Sequence, residues 1–202
     1  AREIERVDAA LAALTQAGLI AHTRYDHGLF TAYRQAVAAS FDIPWTAITP
    51  RMQRLLYAVN AIRQPDTMVA VGVFCGFTFM ANAGAGAGPG ACFRAQRLVG
   101  IEIDPAEADR AARNVAAIDP EGHARIVAAD GVAYLRQMTG AVDLLYLDAN
   151  SGGAHGKSIY LDLLDAARHL LQAGSLVLAH NSINAAESLA DYLAAVRAGA
   201  DF

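Results

Sequence analysis

Three acidic residues and one His-Asn pair stand at the ends of separate apolar runs, and their spacing points to a shared site. The run Met68–Val73 leads into the turn Gly72-Val73-Phe74-Cys75-Gly76, the run Leu98–Ile103 carries Glu102 near its end, and Ala124–Ala128 is followed by Asp130 and Gly131. Val142–Leu147 leads into Asp148, and Ser175–Ala179 into His180 and Asn181. Glycines at 72 and 76 let the backbone bend tightly and leave room for close approach. A carboxylate at the end of the next apolar run suits the hydroxyls of a ribose, and an unpaired carboxylate in such surroundings is costly. Glu102 and the turn therefore imply a nucleoside-bearing ligand lying across adjacent strand ends.

Such a placement requires the runs to be parallel strands. They are nearly continuous in apolar character rather than alternating, which implies helices covering both faces, and helical patterns separate them: Phe77–Ala83, Pro105–Ala117, Gly131–Met138, Ile159–Gln172 and Ala185–Ala198. Right-handed crossovers then bring every strand's C-terminal end to one edge. The expected fold class is α/β, a Rossmann-like, doubly wound and mainly parallel sheet. Residues 1–64 show helical spacing only and form an N-terminal helical cap on a core of residues 65–202, all within a single domain. Thr49-Pro50 marks a helix start, because threonine caps and proline suits the first turn, and Asp104-Pro105 reads the same way. Asp130 has capping as its plainer alternative. Phe30, Tyr33, Phe41 and Trp45 are the aromatics expected to form a lid. The glycine-rich stretch Ala83–Ala91 has no following Lys-Ser/Thr pair and precedes a strand, so it is a connector rather than a phosphate loop. Asp201-Phe202 fall where another strand would begin.

Composition narrows the class. The 202 residues are 54% hydrophobic and 18% charged, with a formal net charge of −4. That excludes a disordered chain and provides no basic surface for nucleic acid. No apolar stretch reaches the roughly 20 residues needed to span a bilayer. Two cysteines, Cys75 and Cys92, make neither a disulfide framework nor a metal motif, and a cytoplasmic location is expected. The three-glycine spacing of a nicotinamide fingerprint is missing from Gly72–Gly76, which argues against a dehydrogenase.

Taken with GIEIDP, AADGVAYL and DLLYLDAN, the glycine turn resembles that of class I S-adenosylmethionine-dependent methyltransferases, especially the small-molecule O-methyltransferases of the catechol and caffeoyl-CoA group. The resemblance spans roughly residues 48–202 and implies S-adenosylmethionine as cofactor. It places Gly72, Val73, Phe74 and Gly76 beneath the methionine part, Glu102 on the ribose, Ile103 against the adenine, and Asp130 and Gly131 at the adenine's border. Asp148 would lie beside the sulfonium and the acceptor. Relatives of this group present oxygen ligands for magnesium after the fourth and fifth strands, whereas here His180 stands in for a carboxylate and supplies a softer nitrogen, so no metal is expected. Ser151 takes the place of a lysine common in the group, and Lys157 follows in a glycine-containing insertion. The implied function is methyl transfer to a small hydroxyl- or amine-bearing acceptor, with Asp148, His180, Asn181 and Tyr160 as the catalytic candidates and His180 as the foremost base. The alternative, by resemblance to azetidine-2-carboxylate synthases of the same fold, is cyclisation of the cofactor by its own amine with release of methylthioadenosine. The cap's apolar faces also suit a homodimer.

Overall fold

A computed structural model describes residues 2–151 and 159–199; Lys157 and the glycines of the insertion after Ser151 lie outside them. Three helices come first: α1 (Arg2–Gln16), α2 (His27–Ser40) and α3 (Pro50–Arg63). Then follow β1 (Thr67–Val71), α4 (Phe77–Ala83), β2 (Arg97–Glu102), α5 (Pro105–Ile118), β3 (Ala124–Ala128), α6 (Gly131–Gln137), β4 (Val142–Leu147), α7 (Ile159–Ala167), β5 (Leu171–Ala179) and α8 (Ala190–Ala198). The five strands form one sheet in the order β3-β2-β1-β4-β5, and every pairing is parallel. The chain winds in one direction from β1 to β3 and in the other from β4 to β5. A crevice therefore opens at the C-terminal ends of β1 and β4, where ligands settle in such sheets.

Alternate residues of the central strands feed two cores. Met68, Ala70, Leu98, Leu144 and Tyr146 pack with α1 to α5 on one face. Val69, Val71, Val99, Ile101, Leu145 and Leu147 pack with α6, α7 and α8 on the other. This two-sided burial explains why the strands read as continuous apolar runs. The helices start where the sequence provides caps. Thr49 Oγ1 accepts from Met52 N at 3.3 Å with Pro50 in the first turn, and Asp104 Oδ1 accepts from Ala106 N at 2.8 Å with Pro105 beside it.

Three boundaries differ from the sequence expectation by four residues or more. The helix expected over Ile159–Gln172 ends at Ala167, passes through a 3₁₀ turn at Arg168–Leu170, and gives way to β5 four residues earlier than Ser175. Leu171 pairs with Val142 and Leu176 with Leu144, so the residues between them bulge out of the ladder. Ser175 holds the bulge by donating to Val142 O at 2.7 Å and accepting from Gln172 N at 3.0 Å. The last helix begins at Ala190 rather than Ala185, after a series of turns.

The cap is joined by charge as well as by apolar packing. Glu3 of α1 accepts from Arg34 of α2 at 2.7 Å and from Arg54 of α3 at 2.5 Å. Both guanidinium groups lie over the Phe30 ring, at 4.4 and 4.2 Å from its centroid. Phe30 and Tyr33 are fully buried against Tyr57, with centroids 5.2 and 5.5 Å away. These two aromatics are therefore the interior of the cap and not part of a lid, because the apolar faces of three helices must bury something large between them.

Candidate functional site

The sheet ladder continues one residue past β1, β3, β4 and β5 and thereby fixes the site's backbone. Gly72 N donates to Ile101 O at 2.9 Å, Ala129 N to Glu102 O at 2.9 Å, Asp148 N to Val71 O at 2.9 Å and His180 N to Leu147 O at 2.9 Å. Above these ends lies a cavity of about 510 Å³, within the range of small-molecule and cofactor sites. Gly72, Val73, Phe74, Glu102, Ile103, Asp130, Gly131, Asp148, His180 and Asn181 all line it. Gly76 and Tyr160 do not.

Glu102 is at the centre of one end. Its Oε2 accepts from Phe74 N at 2.7 Å and its Oε1 from Asp104 N at 3.1 Å. The carboxylate thus braces the turn while keeping lone pairs for a ligand. The turn needs that bracing, since Phe74 sits at φ 49°, a left-handed conformation that a bulky side chain rarely adopts. Ile103 is exposed at the rim. Asp130 Oδ1 accepts from Ala133 N at 2.8 Å, so it caps α6 at the same time as it lines the cavity.

Packing by itself requires both glycines. Gly72 has φ +81°, and a Cβ there would stand 2.5 Å from both the Cα and N of Ala149 and 2.6 Å from the carbonyl carbon of Asp148. The empty side of Gly72 is filled by the chain leaving β4. Gly76, at φ +83°, begins α4 against Ala111 of α5. Its role is to turn the chain into the helix, which explains its place outside the cavity.

At the other end, Asp148 and His180 meet across β4 and β5. His180 Nδ1 lies 3.0 Å from Asp148 Oδ2. It is shielded from water and out of line for a hydrogen bond, so the contact is an ion pair whenever the imidazole is protonated. Asn181, at φ 64°, bonds through Nδ2 to Asn184 Oδ1 at 3.2 Å; asparagine tolerates this backbone. Tyr160, expected as a catalytic group, is fully buried among the apolar residues under α7. Its hydroxyl donates to His180 O at 3.2 Å, and burial pushes the phenol's pKa well above its ordinary value. It holds the backbone of His180 from below and does not face the cavity. Tyr146 lies on the same sheet face as His180, with ring centroids 6.4 Å apart. Its buried hydroxyl has no hydrogen-bond partner among the described residues.

Of the expected aromatic lid, only Trp45 reaches the cavity. It is 79% exposed and its ring lies 5.3 Å from that of Phe74, while Phe41 turns inward against Phe77 at 6.4 Å. Thr46, Ala47 and Ile48 continue the wall, and Ala129, Val132 and Leu163 also belong to it. None of these carries a polar pattern that sequence reasoning would single out; only their position before Thr49-Pro50 or beside a strand end would have identified them.

A family model described as a methyltransferase domain matches residues 69–182. By sequence alone, no curated protein matches the chain. Among solved structures, the SAH-bound Podospora anserina methyltransferase PaMTH1 is similar over 94% of this chain and 87% of its own, at 13% identity and a TM-score of 0.67. An O-methyltransferase from Bacillus cereus in complex with SAH is similar over 98% and 89%, at 14% identity and a TM-score of 0.64. TomG, the Streptomyces achromogenes O-methyltransferase involved in tomaymycin synthesis, solved with SAM, is similar over 98% and 87%, at 18% identity and a TM-score of 0.62. At these identities the likeness establishes the fold. Among the described residues no group of three or more His, Cys, Asp or Glu is placed to hold a metal ion, and no helix is long and apolar enough to cross a membrane.

Proposed function

Because the chain belongs to the methyltransferase-domain family, we propose that it transfers the methyl group of S-adenosylmethionine to a small hydroxyl- or amine-bearing acceptor without a magnesium ion. The observation that carries this reading is one cavity with Glu102 at its nucleoside end and the Asp148–His180 pair, 3.0 Å apart, at the other. The fit to the cofactor is good. Glu102 is buried enough to be a strong acceptor, is already oriented by two backbone N–H groups, and stands beside the exposed Ile103 that would cover the adenine. Asp130 and Gly131 border the same end.

When bound, S-adenosylmethionine supplies a methyl group on a sulfonium, which is already a good leaving group. The chain's task is alignment and removal of one proton. Asp148, which lines the cavity, would stand beside the positive sulfonium end of the bound cofactor. Its contact with Nδ1 leaves Nε2 of His180 to take the acceptor's proton, and the imidazolium so formed is stabilised by the neighbouring carboxylate. Asn181 and the cavity-lining Asn150 and Ser151 orient the acceptor. One carboxylate, one imidazole and one amide do not fit the oxygen-only preference of magnesium, so no step is assigned to that ion.

The test uses purified protein, S-adenosylmethionine and a panel of phenols, alcohols and amines, with and without chelator, with products identified by mass spectrometry. S-adenosylhomocysteine and a methylated acceptor, formed only when both are present and unaffected by chelator, are expected. His180→Ala should lose turnover by at least about a hundredfold and keep its affinity for S-adenosylhomocysteine. Methylthioadenosine made from the cofactor alone would instead establish cyclisation to azetidine-2-carboxylate, and chelator-sensitive turnover would remove His180 from the role of base.

A further inference from the structure

The segment from Phe41 to Thr49 has no regular secondary structure, yet it walls the cavity. What fixes it is a residue on α5. Asn114, only 3% exposed, donates through Nδ2 to Asp42 O at 2.9 Å and to Cys75 O at 2.8 Å, and accepts from Asp42 N at 2.8 Å through Oδ1. Both backbone groups of Asp42 and the carbonyl of the glycine turn therefore share a single buried amide. Such an amide offers two donors and one two-lone-pair acceptor, so three of its four bonds are committed here. Arg110, one turn earlier on α5, places Nε 3.3 Å from the Asp42 carboxylate. Beyond this anchor the strap runs to Trp45, whose ring contacts Phe74, the neighbour of Cys75 in the turn.

We propose that Asn114 is a positioning residue for cofactor binding: it locks the strap and the glycine turn into one wall, so that this side of the cavity is assembled before the ligand arrives. The proposal rests on the cofactor reading above. The physical reason is preorganisation. A strap without helix or strand must otherwise be ordered at the moment of binding, which weakens affinity. In addition, loss of the amide leaves three backbone groups without their partner.

Trp45 is the chain's single tryptophan, so its emission reports on the strap with no acceptor present. Wild-type protein titrated with S-adenosylhomocysteine should show a change in Trp45 emission that follows the same Kd as calorimetry. Asn114→Ala is expected to shift the ligand-free emission and to raise that Kd on the order of ten- to a hundredfold. Arg110→Ala, which keeps all three Asn114 bonds, should stay within about threefold. A merely structural Asn114 would lower the urea midpoint and change neither reading, and that result overturns the proposal. Should Asn114→Ala not fold, hydrogen exchange on the unaltered protein decides. Protection of the 42–48 amides already present in the ligand-free protein supports the tether, and exchange that is fast without ligand and slowed only by S-adenosylhomocysteine refutes it. Failure of the wild type to bind S-adenosylhomocysteine refutes the cofactor reading itself, whereas tight wild-type binding matched by Asn114→Ala refutes only the tether.

Discussion

Gly72→Ala tests whether the first glycine of the turn is set by the β4 exit. The position has φ +81°, where an L-side chain costs about 1–2 kcal/mol. The new methyl would also meet backbone atoms of Asp148 and Ala149 at 2.5–2.6 Å, roughly 1 Å inside normal carbon contact distance. Backbone cannot swing away as a side-chain tip does, and overpacking of this kind costs about 1–3 kcal/mol more. The total, about 2–5 kcal/mol, is a large part of an ordinary folded protein's stability. Gly140→Ala separates the two contributions, since Gly140 has φ +88° and nothing within 4 Å of its added Cβ. Urea unfolding of both variants should give a difference of about 1–3 kcal/mol, with Gly72→Ala the weaker. Relief of the clash must push Asp148 outward, so S-adenosylhomocysteine affinity should fall for Gly72→Ala and hold for Gly140→Ala. Equal destabilisation of the two, with equal affinity, would refute the packing explanation.

Two further outcomes are expected. Tyr146→Phe removes a buried hydroxyl that lacks a partner among the described residues and should stabilise the ligand-free protein by about 1 kcal/mol, read as a rise of roughly 2–4 °C in Tm; a fall would show that the hydroxyl is paired. Glu3→Gln should uncouple stability from acid. The hydrogen bond from Arg34 holds the Glu3 carboxyl below its ordinary value of 4.5, against the opposing effect of burial. Its contribution is therefore complete above that value and is lost as pH falls through the lower, folded-state pKa. The urea midpoints of wild type and Glu3→Gln should differ by a constant amount near neutrality and converge as the solution is acidified below pH 4.5; a gap unchanged in acid would contradict the assignment.

The parts of the fold that sequence reveals are those decided locally. Thr49-Pro50 and Asp104-Pro105 cap helices because the capping atoms and the donors they satisfy are two or three residues apart. The change of period after residue 67 marks β1 because both faces of that strand are apolar. Features decided at long range are not visible in this way. Asn114 looks like a surface residue of a helix, and its partners Cys75 and Asp42 are 39 and 72 residues away. Phe30 and Tyr33 have the composition of a lid, yet their burial is set by how three helices close on one another. The early start of β5 is hidden because Gln172 to Ser175 leave the ladder, so no apolar pattern marks them.

The two ends of the cavity, both named from the sequence, depend on different strand pairs. Turn residues and Glu102 are placed by the register of β1 with β2. Asp148 and His180 depend instead on the register of β4 with β5, in which Leu147 pairs with Ala179. A slip of one residue would send His180 to the opposite face of the sheet. That register is secured twice, by His180 N donating to Leu147 O and by Tyr160 from α7 donating to His180 O. Tyr160 thus serves the site without entering it. The Asp148–His180 pair is as fixed as the sheet itself, so under the proposed function acceptor choice would fall to the other cavity-lining residues: the strap bearing Trp45, and Asn150, Ser151 and Asn181.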